Sequence, residues 1–186
     1  MEQIVDHSTR DAALIARICK ADQKALEILY RHYYNQLARF ITRVTFREDI
    51  IDEVINDVMF VVWEKAVSYD KECKPSTWIF GIAFNKARQA ARDSNRNSEE
   101  SLDDLDADNS YFEEDNDKLK QLEMTDWLTP ALEQLTADQR AVIELTYFQG
   151  LPYHEIAVLM DCPENTVKTR MHHAKKKLAV LLNESN

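Results

Sequence analysis

The sequence predicts an all-α protein of two small helical domains joined by an acidic flexible linker, and three observations carry that expectation. Only two Gly and four Pro occur in 186 residues, so helix interiors are rarely interrupted. Apolar residues recur at intervals of three and four in several long stretches, the period of an amphipathic helix. Between these stretches, "DSNRNSEESLDDLDADNSYFEEDND" is poor in apolar residues and dense in like charge, and cannot bury enough surface to offset its ordering entropy. The expected boundaries are 8–96 for the first domain, 97–116 for the linker and 117–184 for the second.

In the first domain, "ADQKALEILYRHYYNQLARFITRV" reads as a long helix with Asp22 placed to cap it. The next helix, "EDIIDEVINDVMFVVWEKA", gathers Ile51, Val54, Ile55, Val58, Met59 and Val62 on one side. Its other side carries Asp52, Glu53, Asn56 and Asp57. A loop over 68–77, with Tyr69, Lys71 and Lys74, leads into "WIFGIAFNKARQAAR". There Trp78, Ile79, Ile82, Ala83, Ala87 and Ala90 form the expected packed face, while Asn85, Arg88, Gln89 and Arg92 align on another. Phe84, like Trp78, is an aromatic at helical spacing and belongs with the core.

In the second domain, Thr136 and Gln139 have the spacing of a capping box, and Gly150 closes the same helix about three turns later. "LPYHEIAVLM" gives a short helix with Pro152 in its first turn and Ile156, Ala157, Leu159 and Met160 as its apolar side. "DCP" interrupts the pattern. A last helix then starts near Pro163 or Glu164, its apolar stripe made of Val167, Met171, Ala174, Leu178 and Leu181. Lys168, Thr169, His172, His173, Lys175 and Lys176 face outward.

The charge is unevenly spread. The chain carries a formal net charge of −10, yet residues 1–97 hold 15 Lys/Arg against 14 Asp/Glu, residues 98–134 hold 2 against 13, and residues 135–186 hold 6 against 6. Five of the last six basic residues lie between Lys168 and Lys177, with no acid from Asn165 to Asn183, so the local field opposes the global one. Two short helices joined by a tight turn, the second with an exposed basic face, form a helix-turn-helix, whose second helix fits the major groove of duplex DNA. Ammonium and guanidinium groups neutralise phosphates, whereas Asn, Thr and His reach base edges. Cys19, Cys73 and Cys162 form no ligand-spaced group and read as buried reduced thiols. His172 and His173 have no partner at metal-ligand spacing, and no metal or other cofactor is expected. The start "MEQIVDHSTRD" has no signal-peptide pattern and no run of eighteen apolar residues occurs, so a cytoplasmic location without membrane insertion is expected.

"LPYHEIAVLMDCPENTVKTRMHHAKKKL", preceded by "LTADQRAVIELTYFQG", resembles the promoter-reading domain of the extracytoplasmic-function (ECF) sigma factors, compact members of the sigma-70 family. The first domain resembles the same family in the right order, with Ala21-Asp22 where Gly-Asp usually opens a helix. Trp78, Ile79, Ile82, Ala83 and Asn85 match its strand-opening pattern. The resemblance implies a protein that binds core RNA polymerase and directs it to promoter DNA without chemistry of its own, and an anti-sigma factor as a further partner. It implies docking on polymerase by Asp52, Glu53, Asn56 and Asp57. The melted minus-ten strand falls to Tyr69, Lys71, Lys74, Trp78, Asn85, Arg88, Gln89 and Arg92. Reading of the minus-thirty-five duplex falls to Asn165, Thr166, Lys168, Thr169, His172 and His173, with Arg170 and the run Lys175, Lys176 and Lys177 on phosphates.

Further positions depart from the family pattern. Val61 and Thr146 stand where basic residues are frequent, and His172-His173 where an aromatic or Arg is. About 24 flexible residues around the linker reach about 80 Å when fully extended but about 27 Å as a free coil, so they must be nearly stretched to span promoter elements about 70 Å apart. The resemblance implies that the acids there, from Glu99 to Asp117, occupy the RNA exit channel of the polymerase. An autonomous helix-turn-helix transcription regulator is the rival reading; it has no need of a strand-opening segment. A helical carboxylate-metal enzyme would require Glu-x-x-His pairs that the sequence lacks.

Overall fold

The computed structural model describes residues 7–95 and 128–184, all of whose regular structure is helical. The expected linker and the first residues of the expected second domain lie outside the described residues. The chain divides into two compact units that part between Asp93 and Ser94.

The first unit begins with α1 (His7–Ile18) and α2 (Gln23–Thr45). The sequence reading did not single out α1. The α1–α2 turn places Ala21 in the left-handed region (φ 60), with Ala21 N donating to Ile18 O and Asp22 N to Arg17 O at 2.8 and 3.3 Å. Asp22 then caps α2: its Oδ1 accepts from the backbone N–H groups of Lys24 and Ala25 at 3.0 and 3.2 Å. The nearby Arg17 guanidinium, 2.9 Å from Oδ2, and those two N–H groups hold its carboxyl below the ordinary range.

α3 (Ile51–Lys65) packs on α2 through Val54, Ile55, Val58, Met59 and Val62. Ile51, expected among them, is half-exposed because the helix begins there, and Ile50 just before it is buried instead. After a 3₁₀ turn (Ala66–Ser68), α4 (Pro75–Asn95) crosses the unit. Its core face is Ile79, Phe80, Ala83, Phe84 and Ala87. This corrects the expected face: Trp78, Ile82 and Ala90 are half-buried, and Phe80, 1% exposed, meets the rings of Tyr33 and Phe40 edge-on at 6.4 and 5.3 Å. Ile79, Ala83 and Ala87 keep their expected place, so the face is rotated toward Phe80 and Phe84 by less than the roughly 100° that separates successive residues.

The second unit holds α5 (Leu128–Glu133), α6 (Ala137–Ile143), α7 (Tyr153–Leu159) and α8 (Glu164–Glu184). The Thr136–Gln139 capping box is complete: Gln139 N donates to Thr136 Oγ1 at 3.2 Å and Thr136 N to Gln139 Oε1 at 3.1 Å. Thr136→Ala is therefore expected to cost this unit about 1 kcal/mol, checked by urea denaturation of the full chain. α6 continues as a π-helical stretch (Glu144–Phe148) that the sequence did not announce, and Gly150 (φ 65) ends it, its lack of Cβ tolerating the left-handed turn. Pro152 is the N-cap of α7, one residue earlier than expected.

The α7–α8 turn has a physical cause. Asp161 takes φ 50, Cys162 N donates to Ala157 O at 3.0 Å and Asp161 N to Val158 O at 3.3 Å, the paired bonds of a Schellman stop. α8 then packs through Val167, Met171, Ala174 and Leu178, while Leu181, near the helix end, is half-buried. The cysteines correct another expectation: all three are free thiols, but Cys19 is exposed and Cys73 and Cys162 are half-buried.

Candidate nucleic-acid interface

On α8, successive residues advance about 100° around the axis, so the buried stripe fixes where every other side chain points. Asn165, Thr169, His172, His173 and Lys176 occupy the side opposite Val167, Met171, Ala174 and Leu178. Lys168 and Lys175 lie on one flank, Thr166, Arg170 and Lys177 on the other. The His172 and His173 rings stand 5.8 Å apart and tilted. Thr169 donates its hydroxyl to Asn165 O at 2.9 Å, leaving its lone pairs available to an incoming donor.

The basic groups differ in how they are held. Lys168 pairs with Glu164 at 2.9 Å across an exposed helix turn, and this lysine holds the Glu164 carboxyl below its ordinary value. Such pairs are weak. Lys175 Nζ lies 5.8 Å from the centre of the Tyr147 ring. Arg170 is bound to Asp138, and Lys177 donates to Gln134 O at 2.6 Å. Thr146 offers no substitute for a phosphate contact, because its Oγ1 is buried, without a hydrogen-bond partner among the described residues.

In the first unit the expected Asn85, Gln89 and Arg92 face is joined by Trp78, which leaves the packed face where the sequence placed it. Trp78, Asn85, Gln89 and Arg92 fall along the side opposite Ile79, Ala83 and Ala87, with Arg88 on its edge. Three of the four are exposed; Trp78 is half-buried because its ring lies against Tyr69, centroids 5.1 Å apart. Tyr69 donates to Cys73 O at 2.6 Å, which ties the loop onto itself. Burial first, then Cys73 and Asp70, push its phenol up to about 12. Within this loop Asp70 Oδ1 accepts from Glu72 N at 2.9 Å, Lys71 takes φ 66, and Lys71 and Lys74 are exposed. The result is a tilted aromatic pair with cations beside it and an amide and guanidinium track beyond, the components with which proteins hold unstacked single strands.

On α3, Asp52, Glu53, Asn56 and Asp57 are all exposed. Asp52 Oδ1 accepts from Tyr34 Oη at 2.6 Å, Asn56 Oδ1 from Tyr30 Oη at 3.3 Å, and Asp57 pairs with Lys86 at 2.9 Å. The sequence reading missed Phe60. It lies four residues beyond Asn56 and seven beyond Glu53, and is 59% exposed in the middle of the acidic side. Its position opposite Val54, Val58 and Val62 was a usable signal, since an aromatic facing away from the core stripe has no internal partner to satisfy it.

Comparison with known proteins agrees with both halves. The family model for Sigma-70 region 2 matches residues 29–97, and that for Sigma-70, region 4 matches residues 125–178. The ECF RNA polymerase sigma-E factor of Haemophilus influenzae is 29% identical over 176 residues, which cover 90% of this chain and 93% of that one. The factor of the same name from Escherichia coli K12 is 29% identical over 178 residues, covering 90% and 92%. Among solved structures, CnrH in complex with the cytosolic domain of CnrY shares the fold at TM-score 0.66 and 22% identity, over 95% of this chain and 99% of that one. The sigma factor RpoE bound to the anti-sigma factor NepR from Bartonella quintana shares it at TM-score 0.64 and 22% identity, over 86% and 98%. The chain belongs to the sigma-70 family, in its extracytoplasmic-function group. Its function is that of a promoter-directing sigma factor, and the autonomous-regulator reading is not favoured.

Proposed function

We propose that this sigma factor docks on core RNA polymerase through the acidic side of α3, opens the minus-ten element with the first unit and reads the minus-thirty-five duplex with α8. The observation that carries the reading is the acid-free outward face of α8, on which Asn165, Thr169, His172 and His173 stand between flanking lysines. Base-edge donors and acceptors along the middle with cations at the sides are what a helix in the major groove requires. For the first unit, support comes from the Trp78, Asn85, Gln89 and Arg92 line beside the Tyr69 loop. The protein performs no bond-making chemistry and works in the cytoplasm; no helix among the described residues is long and apolar enough to cross a membrane. The two structural neighbours were solved with partners, CnrY and the anti-sigma factor NepR, which supports an anti-sigma protein as the silencing partner here.

The test is transcription by purified core polymerase plus this chain on a genomic DNA library, with sequencing of the start sites. A shared upstream and downstream motif, absent without the chain, is expected. Specific promoter binding by the chain alone, equal to that with polymerase, would contradict the proposal. Within the α8 face, Lys175→Ala should weaken all sequences about equally and lower the slope of log affinity against log salt by about 1. His173→Ala should instead change preference at one or two base pairs, read by binding to a set of single-substituted duplexes.

A further inference from the structure

We infer that Arg170 is a positioning residue that clasps the recognition helix α8 to α6 and to the turn before it, and is not a contact to a DNA phosphate. The inference rests on the reading of α8 as the duplex-reading helix. Arg170 Nη2 lies 2.6 Å from Asp138 Oδ2, with the two side chains only 26% and 22% exposed. Its other terminal nitrogen, Nη1, points at Cys162 Sγ at 3.6 Å. One planar guanidinium thus joins three pieces of the fold: the first turn of α6, the turn between α7 and α8, and the second turn of α8. A fork with fixed donor directions can do this, and a lysine ammonium cannot aim at both sites in the same way.

The surroundings favour this role. Asp138 sits in the first turn of α6, where the helix dipole favours an acid, on a backbone fixed by the Thr136–Gln139 box. Seven residues after Arg170, on the same flank, Lys177 donates to Gln134 O just before that box. Both cations of this flank are therefore drawn toward the α5–α6 elbow. On the opposite flank Lys168 pairs with the exposed Glu164, away from that elbow, and Lys176 projects from the middle of the face. The basic run seen in the sequence is two sets: a brace of Arg170 and Lys177, and an outer set of Lys168, Lys175 and Lys176. The brace sets the angle at which Asn165, Thr169, His172 and His173 meet base edges, and base hydrogen bonds are far more sensitive to that angle than phosphate attraction is.

The two roles predict opposite signs for one substitution. Asp138→Asn removes a negative charge beside the DNA-facing helix, so if Arg170 touched a phosphate, freeing it should tighten binding to every sequence. A clasp predicts the reverse. The experiment measures binding of holoenzymes, each made with the full-length chain, to a promoter selected as above and to a scrambled duplex of equal length, across a salt series. Thermal unfolding of each variant fixes a temperature at which it is folded. Asp138→Asn and Arg170→Lys are each expected to lower the promoter-to-scrambled affinity ratio by about tenfold, the order one charge-assisted hydrogen bond supplies, with the salt slope unchanged. The two together should be no worse than the worse one alone. The exchange Asp138→Arg with Arg170→Asp should recover part of the ratio lost in Arg170→Asp. A merely structural role would lower the folded fraction and leave the ratio intact. Retention of the ratio in Arg170→Lys, or tighter binding by Asp138→Asn, would overturn the clasp. A wild-type holoenzyme with no promoter preference would instead overturn the functional reading beneath it.

Discussion

Glu53→Lys combined with Phe60→Asp is expected to weaken assembly with core RNA polymerase by about a hundredfold or more, through like-charge contact and loss of an apolar anchor. The pair is chosen because the fold does not need it. Asp52 and Asp57 would be poorer probes: the first holds Tyr34 and the second Lys86, so changing either also alters how α3 meets its neighbours. Glu53 is exposed, and among the described residues no ion pair engages it. Phe60 is 59% exposed, so replacing it removes little buried surface. Exposed sites of this kind shift stability by about 0.5 kcal/mol or less. Competition with labelled wild-type factor for a limiting amount of core polymerase measures the effect, and an unchanged unfolding transition shows that the fold survives. Wild-type competition by the double variant would remove α3 from the docking surface. Phe60 matters because the acids around it give encounter rate and orientation, whereas a desolvated aromatic slows dissociation.

Local rules were legible in the sequence, and facts that depend on a neighbour were not. Asp22, Thr136, Gln139 and Gly150 act through hydrogen bonds and dihedrals within a few residues of themselves, so their roles could be read directly and appear as expected. The stripe of α8 was equally plain, because one helix periodicity fixes one face. α4 was less so: Trp-Ile-Phe-Gly-Ile-Ala-Phe offers two overlapping apolar faces, and the choice between Trp78 and Phe80 is made by Tyr33 and Phe40 on α2, which periodicity within α4 does not contain. The same limit hid the fate of Arg170. Its charge and exposed spacing resemble those of Lys168, and only the approach of α6, thirty-two residues earlier, separates an internal brace from an outward cation. The thiols were misjudged because a small apolar residue is usually buried, while Cys19 lies exposed just past the end of α1.

Tyr33→Phe is expected to destabilise the first unit by about 2–4 kcal/mol, although it removes a single oxygen, because of what that oxygen faces. Tyr33 and Asp11 are 2% and 3% exposed, and the phenol donates to Asp11 Oδ2 at 2.7 Å. Asp11 Oδ1 has no hydrogen-bond partner among the described residues. Without the phenol, a buried carboxylate between α1 and α2 would lose this bond as well, and an unsatisfied buried acceptor costs more than the bond itself returns. The double replacement Asp11→Ala with Tyr33→Phe should therefore cost less than Tyr33→Phe alone, a sign that no simple count of lost contacts produces. Urea denaturation of Tyr33→Phe, Asp11→Ala and the double variant decides it, and additive losses would show that Asp11 is satisfied in some other way. Alkali gives an independent check. Burial, then the bond to Asp11 and its charge, raise the Tyr33 pKa far above the ordinary phenol value near 10. A raised folded-state pKa contributes stability that is fully present below the unfolded value and lost as pH climbs past it, because the unfolded chain releases its proton first. Stability should thus fall above about pH 10, and fall less steeply in Tyr33→Phe, which has no proton there to hold.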